Sequence, residues 1–526
     1  MFEMFEMSNT STYMIIAGIL IYVIFVTVQG MGNFKKTSGS SEAFFSADRG
    51  ISPIVLVFST AVSVFSGLTI YGFPSSTYRD GIGFFSGTGS FIATLLIVVI
   101  GYRLWILGKE YGFTTPTDFL RERYYSEGYG LFVAILLVIF IVPYISLQVI
   151  TIGDGITTTT NNTVPYVVAV IVASLLIGSH VISGGMKSVA WMDTFHLVLG
   201  AGAVAIVLFA LRGIHFPEGG LKEAAQIVLN NPDTAAIMSH PGPRGVYTWK
   251  GTLNNALTGA VATVVWPHIF SRQYMAKSKE NFKVMAWCLP LVYALIIGML
   301  MIIGAILAPA ILGSGFENPD VIMPYLSTKY APPIVAFISL LALFAFAVST
   351  SESLLLSASS MASKDLYVHR KYELKGLKVD DRKVVKISRI IVLILMATMM
   401  FIVMNKPAAI TDYAYKLSSP FFAMTLPATI GGLFWRKGTK EGAIAGTVSG
   451  VIVVTLFTFF IKAPLGFSAL LWGMFVNAVL YVGVSLVTKV PEEISRKYID
   501  RINTIISTGQ EVHDIVDGTV KKTKNA

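Results

Sequence analysis

Apolar residues run along this chain in long blocks, and about thirteen of the blocks approach or exceed the roughly 20 residues that a helix needs to cross a bilayer. They fall at about 12–30, 51–75, 83–107, 130–152, 164–184, 187–211, 249–271, 283–312, 332–360, 386–404, 407–434, 440–461 and 466–488. Each block predicts a membrane-spanning helix. The chain therefore reads as one all-α integral membrane domain of thirteen crossings over 1–489, followed by a tail, 490–526.

Two blocks are interrupted. The second reads TAVSVFSGLTIYGFPSS, with Ser66-Gly67 in mid-span and Gly72 and Pro74 beyond; the seventh reads NNALTGAVATVVWPHIF, with Gly259 and Pro267. Glycine and proline weaken the helical ladder, and freed backbone groups in lipid must find partners, so such breaks survive where the backbone lines a cavity. Paired breaks in two halves are the best sequence pointer to a transporter site. The two blocks lie five crossings apart, and five is odd, so a five-helix repeat would be inverted. Ordinary kinks, common in membrane helices, account for the same residues without a repeat.

The ninth block carries Ser349, Thr350, Ser351, Glu352 and Ser353 deep inside apolar sequence. Isolated hydroxyls are cheap there because they bond back to their own helix. Five consecutive polar residues with one acid are not, and an intramembrane acid marks a functional site by default. Hydroxyls here and loosened carbonyls in block two would suit sodium, a hard cation that takes oxygen ligands. The alternative is a Glu352 that is neutral, hydrogen-bonded and only packs. Asp193 opens the sixth block, either to pass a cation on the inner path or to cap the helix at the interface. His196, one turn on, is a packing histidine or a proton relay. Asp412 and Lys416 share a helix face at i, i+4, as a structural pair or with Lys416 free for a solute carboxylate.

Composition fits this picture. Of 526 residues, 54% are hydrophobic and only 13% charged, against about a quarter charged in soluble domains. The net charge of +10 would suit nucleic acid in a soluble protein, but its distribution points elsewhere. Of the 40 Lys and Arg, 30 fall in the tail or in and at the margins of the connections after odd-numbered blocks, and 8 in or at the margins of those after even-numbered blocks. Positive residues stay inside, which puts the N-terminus outside and the C-terminus in the cytoplasm of a cell-membrane protein. The partners expected are lipid, a small solute and an ion, with no nucleic acid and no obligate protein. The single cysteine, Cys288, excludes an intrachain disulfide. No Walker-type loop supports a primary pump, and no nucleophile–base or metal constellation supports an enzyme. The acidic N-terminus lacks the basic region of a cleaved signal peptide. Tail residues 491–507 suit a basic amphipathic helix on the inner membrane surface or a solvated one.

The segments TSGSSEAFFSADRG, TPTDFLRERYYS, SGGMKSVAWMD, WPHIFSRQYMA, STSES with KDLY after it, and GLFWRKGTKEGAIAG occur in this order along the chain. In this they resemble the sodium:solute symporter family over about 45–450. The resemblance implies a leucine-transporter-like fold of five-plus-five inverted repeats, 51–212 and 249–434. It implies sodium held by the carbonyls of Val62, Phe65 and Phe346 and the hydroxyls of Ser349 and Thr350. It links Asp193 to sodium coupling and puts Glu352 and Ser353 where a second ion sits in one relative. Ser66 and Thr69 match positions that hold a carboxylate in a related carrier, and half-helix N–H groups also favour an anion. Gln148, Thr263 and Trp266 are further candidates for the pocket. Gly259 and Thr263 replace aromatics of proline carriers, which argues against proline. The expectation is sodium-coupled symport of a small carboxylate, either a monocarboxylate or an amino acid. The rivals are proton coupling through Glu352 or Asp193, and a channel or sensor on the same scaffold.

Overall fold

The computed structural model describes residues 4–5, 7–32, 34, 39–87, 89–317, 321–405, 410–509, 514–516 and 519–521. The architecture is helical, apart from a two-stranded hairpin, Asp514–Val516 with Thr519–Lys521, in the tail. Helix α1 spans Asn9–Met31, and the second block forms α2, Pro53–Val64, and α3, Gly67–Asp80. Next come α4, Ser90–Tyr111, a short α5, Pro116–Arg123, and α6, Glu127–Thr159. Helix α7 runs Tyr166–His215, and the seventh block forms α8, Trp249–Val264, and α9, Pro267–Gln273. Then follow α10, Glu280–Leu312, and α11, Pro333–Ser360, extended by a π-helical turn Met361–Val368. After these come α12, Asp381–Met404, α13, Ile410–Ala423, α14, Leu426–Phe434, α15, Lys440–Phe459, and α16, Ala469–Val487, with a further helical stretch over 492–508 in the tail.

Ten helices among the described residues are long and apolar enough to cross a membrane, or eleven if the bent pair α2–α3 counts as one span. This differs from the thirteen expected for identifiable reasons. The fifth and sixth blocks form one helix, α7, of 50 residues, interrupted at Gly185 by φ 57°, ψ −168°. The seventh block is split into α8 and α9, each too short to qualify.

Both expected breaks exist, displaced from where glycine and proline suggested. In the second block the ladder stops at Phe65 (ψ 140°) and Ser66 is extended, with a bend of 57° between α2 and α3; Pro74 lies inside α3. In the seventh block Val265 and Trp266 separate the halves, Pro267 starts α9, where its missing N–H costs nothing, and Gly259 remains inside α8.

The outward faces are greasy: Trp287 is 84% exposed, Val487 83% and Phe401 72%. Such surfaces suit lipid and not water. The chain is thus a multi-pass membrane protein. Contacts between connections fall into two groups. Ser41 donates to Asp381, Ile51 pairs with Met275 and Lys277, Thr115 with Asp365, and Arg436 with Asp500. At the other end Asp80 meets Arg244, Phe5 N–H reaches Lys329 O and His215 reaches Tyr330 O.

Candidate ion and solute site

The break between α2 and α3 faces the polar run of α11. Ser66 N–H, which would have continued the ladder to the Val62 carbonyl, donates instead to Thr69 Oγ1 at 3.0 Å. The Val62 carbonyl therefore receives no hydrogen bond among the described residues. Thr350 Oγ1 lies 2.6 Å from Phe65 O and 2.9 Å from Phe346 O. Phe65 O, Phe346 O and the Thr350 hydroxyl thus converge, with Val62 one turn earlier and Ser349 beside Thr350. All five residues are buried.

Ser349 turns its hydroxyl toward Asp193, donating to Oδ1 at 2.5 Å. Asp193 is fully buried, which excludes the interfacial cap. Its Oδ2 accepts from Ser59 Oγ at 2.6 Å and from Arg272 Nη2 at 2.6 Å. Arg272 is also fully buried; it donates to Ser353 Oγ at 2.6 Å, Ser59 Oγ at 2.9 Å and His268 O at 3.2 Å. A guanidinium is tolerated in the interior only with such a full set of acceptors.

Glu352 lies within electrostatic reach of Asp193 but shares no hydrogen bond with it among the described residues. Glu352 Oε1 lies 2.7 Å from His180 Nδ1, both side chains fully buried. His180 Nε2 contacts Gln29 Oε1 at 2.8 Å and Ser188 Oγ at 3.1 Å. His196 packs, its Nε2 2.8 Å from Tyr22 OH. The candidates for a second ion are therefore divided: Asp193 and Ser353 hold Arg272, and Glu352 holds His180.

Phe65 also borders a cavity of about 240 Å³ lined by Ser66, Thr69, Thr263 and Trp266, and by Asn255 and Tyr293 among others. Gln148 does not line it. Its Oε1 accepts from Gly67 N–H at 2.8 Å, so it caps the half-helix α3 from behind. The half-helix start is therefore less open to an anion than expected, since Thr69 and Gln148 already take the N–H groups of Ser66 and Gly67. The Thr263 hydroxyl is turned back to Gly259 O at 2.8 Å. Tyr293 packs at a tilt of 39° against the Phe65 ring, centroids 4.7 Å apart. Phe65 thus presents its carbonyl to Thr350 and its ring to the cavity.

The side chains of Asp412 and Lys416 lie outside the described residues. Sequence reasoning missed Ser59, His180, Arg272, Asn255 and Tyr293. Arg272 had a local signal, a charge one residue past the seventh block; the others are ordinary residues of apolar segments.

A description of the sodium:solute symporter family matches residues 44–450. A sodium/pantothenate symporter of Haemophilus influenzae is 26% identical over 458 residues, covering 84% of this chain and 90% of its own. A sodium/proline symporter of Staphylococcus aureus is 24% identical over 528 residues, covering 95% of this chain and 97% of its own. A Na+-coupled sialic acid symporter, solved substrate-bound and outward-open, shares the fold with a TM-score of 0.75 at 17% identity, over 91% of this chain and 98% of that one.

Proposed function

We propose, from the premise that the chain belongs to the sodium:solute symporter family, that it carries a small carboxylate-bearing solute into the cell with sodium by alternating access. It is a transporter and not an enzyme. The observation that carries the site assignment is the Thr350 hydroxyl set between Phe65 O and Phe346 O, with the Val62 carbonyl one turn earlier unbonded among the described residues. Sodium there would be held by Val62, Phe65 and Phe346 carbonyls and by Ser349 and Thr350 hydroxyls, all oxygen, as a hard cation requires. It would tie α11 to the broken second span and so fix Phe65, whose ring borders the solute cavity.

The proposed frame is thirteen crossings. At 1.5 Å per residue α7 is about 75 Å long, more than twice a hydrocarbon core of about 30 Å, and Gly185 divides it into the fifth and sixth crossings. Segments 51–212 and 249–434 form two inverted repeats whose first members are the two broken spans. The two groups of mutually contacting connections agree with this alternation. The basic group is cytoplasmic, with the C-terminus, and the N-terminus is outside.

Linkage sets the yield. A potential of 100 mV contributes roughly 2.3 kcal/mol per charge and a tenfold sodium gradient roughly 1.4 kcal/mol. A one-sodium cycle carrying a net-neutral solute would sustain a solute gradient of several hundredfold, whereas one carrying a monoanion moves no net charge and would sustain about tenfold, set by the sodium gradient alone. Proton coupling is the second reading, favoured by the buried Glu352–His180 contact. Uptake of labelled solute into proteoliposomes separates the two: a sodium gradient at equal pH should drive accumulation. Full accumulation on a pH gradient alone, without sodium, would overturn sodium coupling.

A further inference from the structure

The cavity's buried unpartnered polar atoms are weighted toward donors. Trp266 Nε1, on a residue 4% exposed, and the Tyr293 hydroxyl, on a residue 2% exposed, have no hydrogen-bond partner among the described residues, and neither does Nδ2 of half-buried Asn255. An indole N–H and an amide nitrogen can only donate. Unsatisfied buried polar groups are rare enough that each needs a reason, and a ligand acceptor is one. Both rings are fixed in place. Trp266 lies near-parallel to His268, centroids 5.6 Å apart at 21°, with the Tyr144 ring edge-on at 5.6 Å, and Tyr293 lies against Phe65. The half-helix N–H groups of Ser66 and Gly67 are already occupied, and among the described residues no Asp, Glu, Lys, Arg or His lines the cavity. Leu68, Phe73, Phe84 and Ile297 give the wall an apolar part, beside the hydroxyl-bearing Ser66, Thr69, Ser76, Thr263 and Tyr144.

We infer that the solute is a small monocarboxylate without an ammonium group, its carboxylate received by the Trp266 indole N–H and the Tyr293 hydroxyl and its apolar body held by Leu68, Phe73 and Phe84. An ammonium would bring more donors to the buried unpartnered donors already there and would find no carboxylate among the described residues of the lining. Sodium beyond Phe65 would supply the counter-charge, which makes ion and anion a neutral pair in transit. At about 240 Å³ the cavity lies below the usual range for drug-sized ligands, which fits a compact acid.

This inference rests on the cavity being the solute site of a sodium symporter, and the test separates the two. Purified full-length protein is titrated in sodium chloride and in choline chloride with propionate, isocaproate and hydrocinnamate. The same titrations use their α-amino counterparts alanine, leucine and phenylalanine, and the amines ethylamine, isoamylamine and phenethylamine. Thermal stabilisation is the readout. At least one carboxylate should stabilise in sodium, and its amino derivative should need at least about tenfold more, the amines giving no response. Trp266→Phe and Tyr293→Phe should each raise the half-saturating carboxylate concentration about tenfold or more, the scale of a hydrogen bond to a charged group. Both should leave stabilisation by sodium alone unchanged, which shows that they fold. A normal sodium response with amino acids bound as well as the acids, with no acid bound, or with both variants at wild-type affinity overturns this inference alone. No sodium response in the wild type overturns the symport reading and this inference with it.

Discussion

Asp193→Asn is the most informative single change in the ion site. The wild-type carboxylate accepts from Ser349, Ser59 and Arg272 at 2.5, 2.6 and 2.6 Å in a fully buried setting. Because the Ser349 proton is committed to Asp193, both oxygen lone pairs of that hydroxyl stay available to a cation. Neutralising the acceptor weakens that commitment and removes a negative charge near the proposed sodium. Hydrogen bonds to charged groups contribute about 1.5–3 kcal/mol. At about 1.4 kcal/mol per factor of ten, the half-saturating sodium concentration should rise roughly 10- to 100-fold. The same change strands Arg272 as a buried unpaired cation, which costs about 3–5 kcal/mol of stability. The two effects separate in the double variant Asp193→Asn, Arg272→Gln. Its thermal midpoint should recover much of the loss, while its sodium affinity should stay weak. Sodium titration of thermal stabilisation and of solute uptake measures both. A half-saturating sodium concentration within twofold of wild type in the single variant would refute the argument that Asp193 conditions the ion ligands.

Gly185→Ala tests the division of α7. An L-residue in a left-handed conformation costs about 1–2 kcal/mol, and the added methyl would stand 3.0 Å from the Phe44 carbonyl oxygen. A clear fall in the thermal midpoint in detergent is expected, and an unchanged midpoint would contradict the kink. Asp118, outside the spans, tests the inner face. Burial opposes its ionisation, but Lys364, Arg121 and the N–H groups of Thr114 and Thr115 outweigh burial and hold its carboxyl well below the usual range. A depressed acid stabilises fully above its unfolded value of about 4 and loses that contribution as pH falls below it. Asp118→Asn should therefore lower the midpoint at neutral pH and flatten its decline in acid; parallel wild-type and variant curves would contradict this.

Much of the frame was legible because lipid imposes a blunt rule: a crossing needs a long apolar run whatever its partners. The breaks were legible in place but not in detail. Gly67 and Pro74 suggested weakness in the second span, yet the ladder fails at Phe65–Ser66, where the Thr69 hydroxyl offers Ser66 N–H an alternative acceptor. Gln148 read as a pocket wall because a buried amide in a span suggests a ligand. Its oxygen is instead used by Gly67, a contact 81 residues away in sequence. Arg272 read as one more inside-facing charge beside a loop. Burial of its guanidinium depends on Asp193, Ser59 and Ser353 arriving from three other helices, which no local pattern encodes. The same holds for Glu352 and His180. The acid was conspicuous within its span, but the histidine 172 positions earlier was not.

Equilibrium binding of radioactive sodium to the purified protein, with Ser349→Ala and Thr350→Ala beside the wild type, bears most directly on the ion site. The wild type should bind sodium saturably, and each alanine variant, folded and of near-normal thermal midpoint, should bind at least about tenfold more weakly for the lost ligand. Undiminished sodium binding in both variants would place the ion elsewhere and remove the link between α11 and the broken second span.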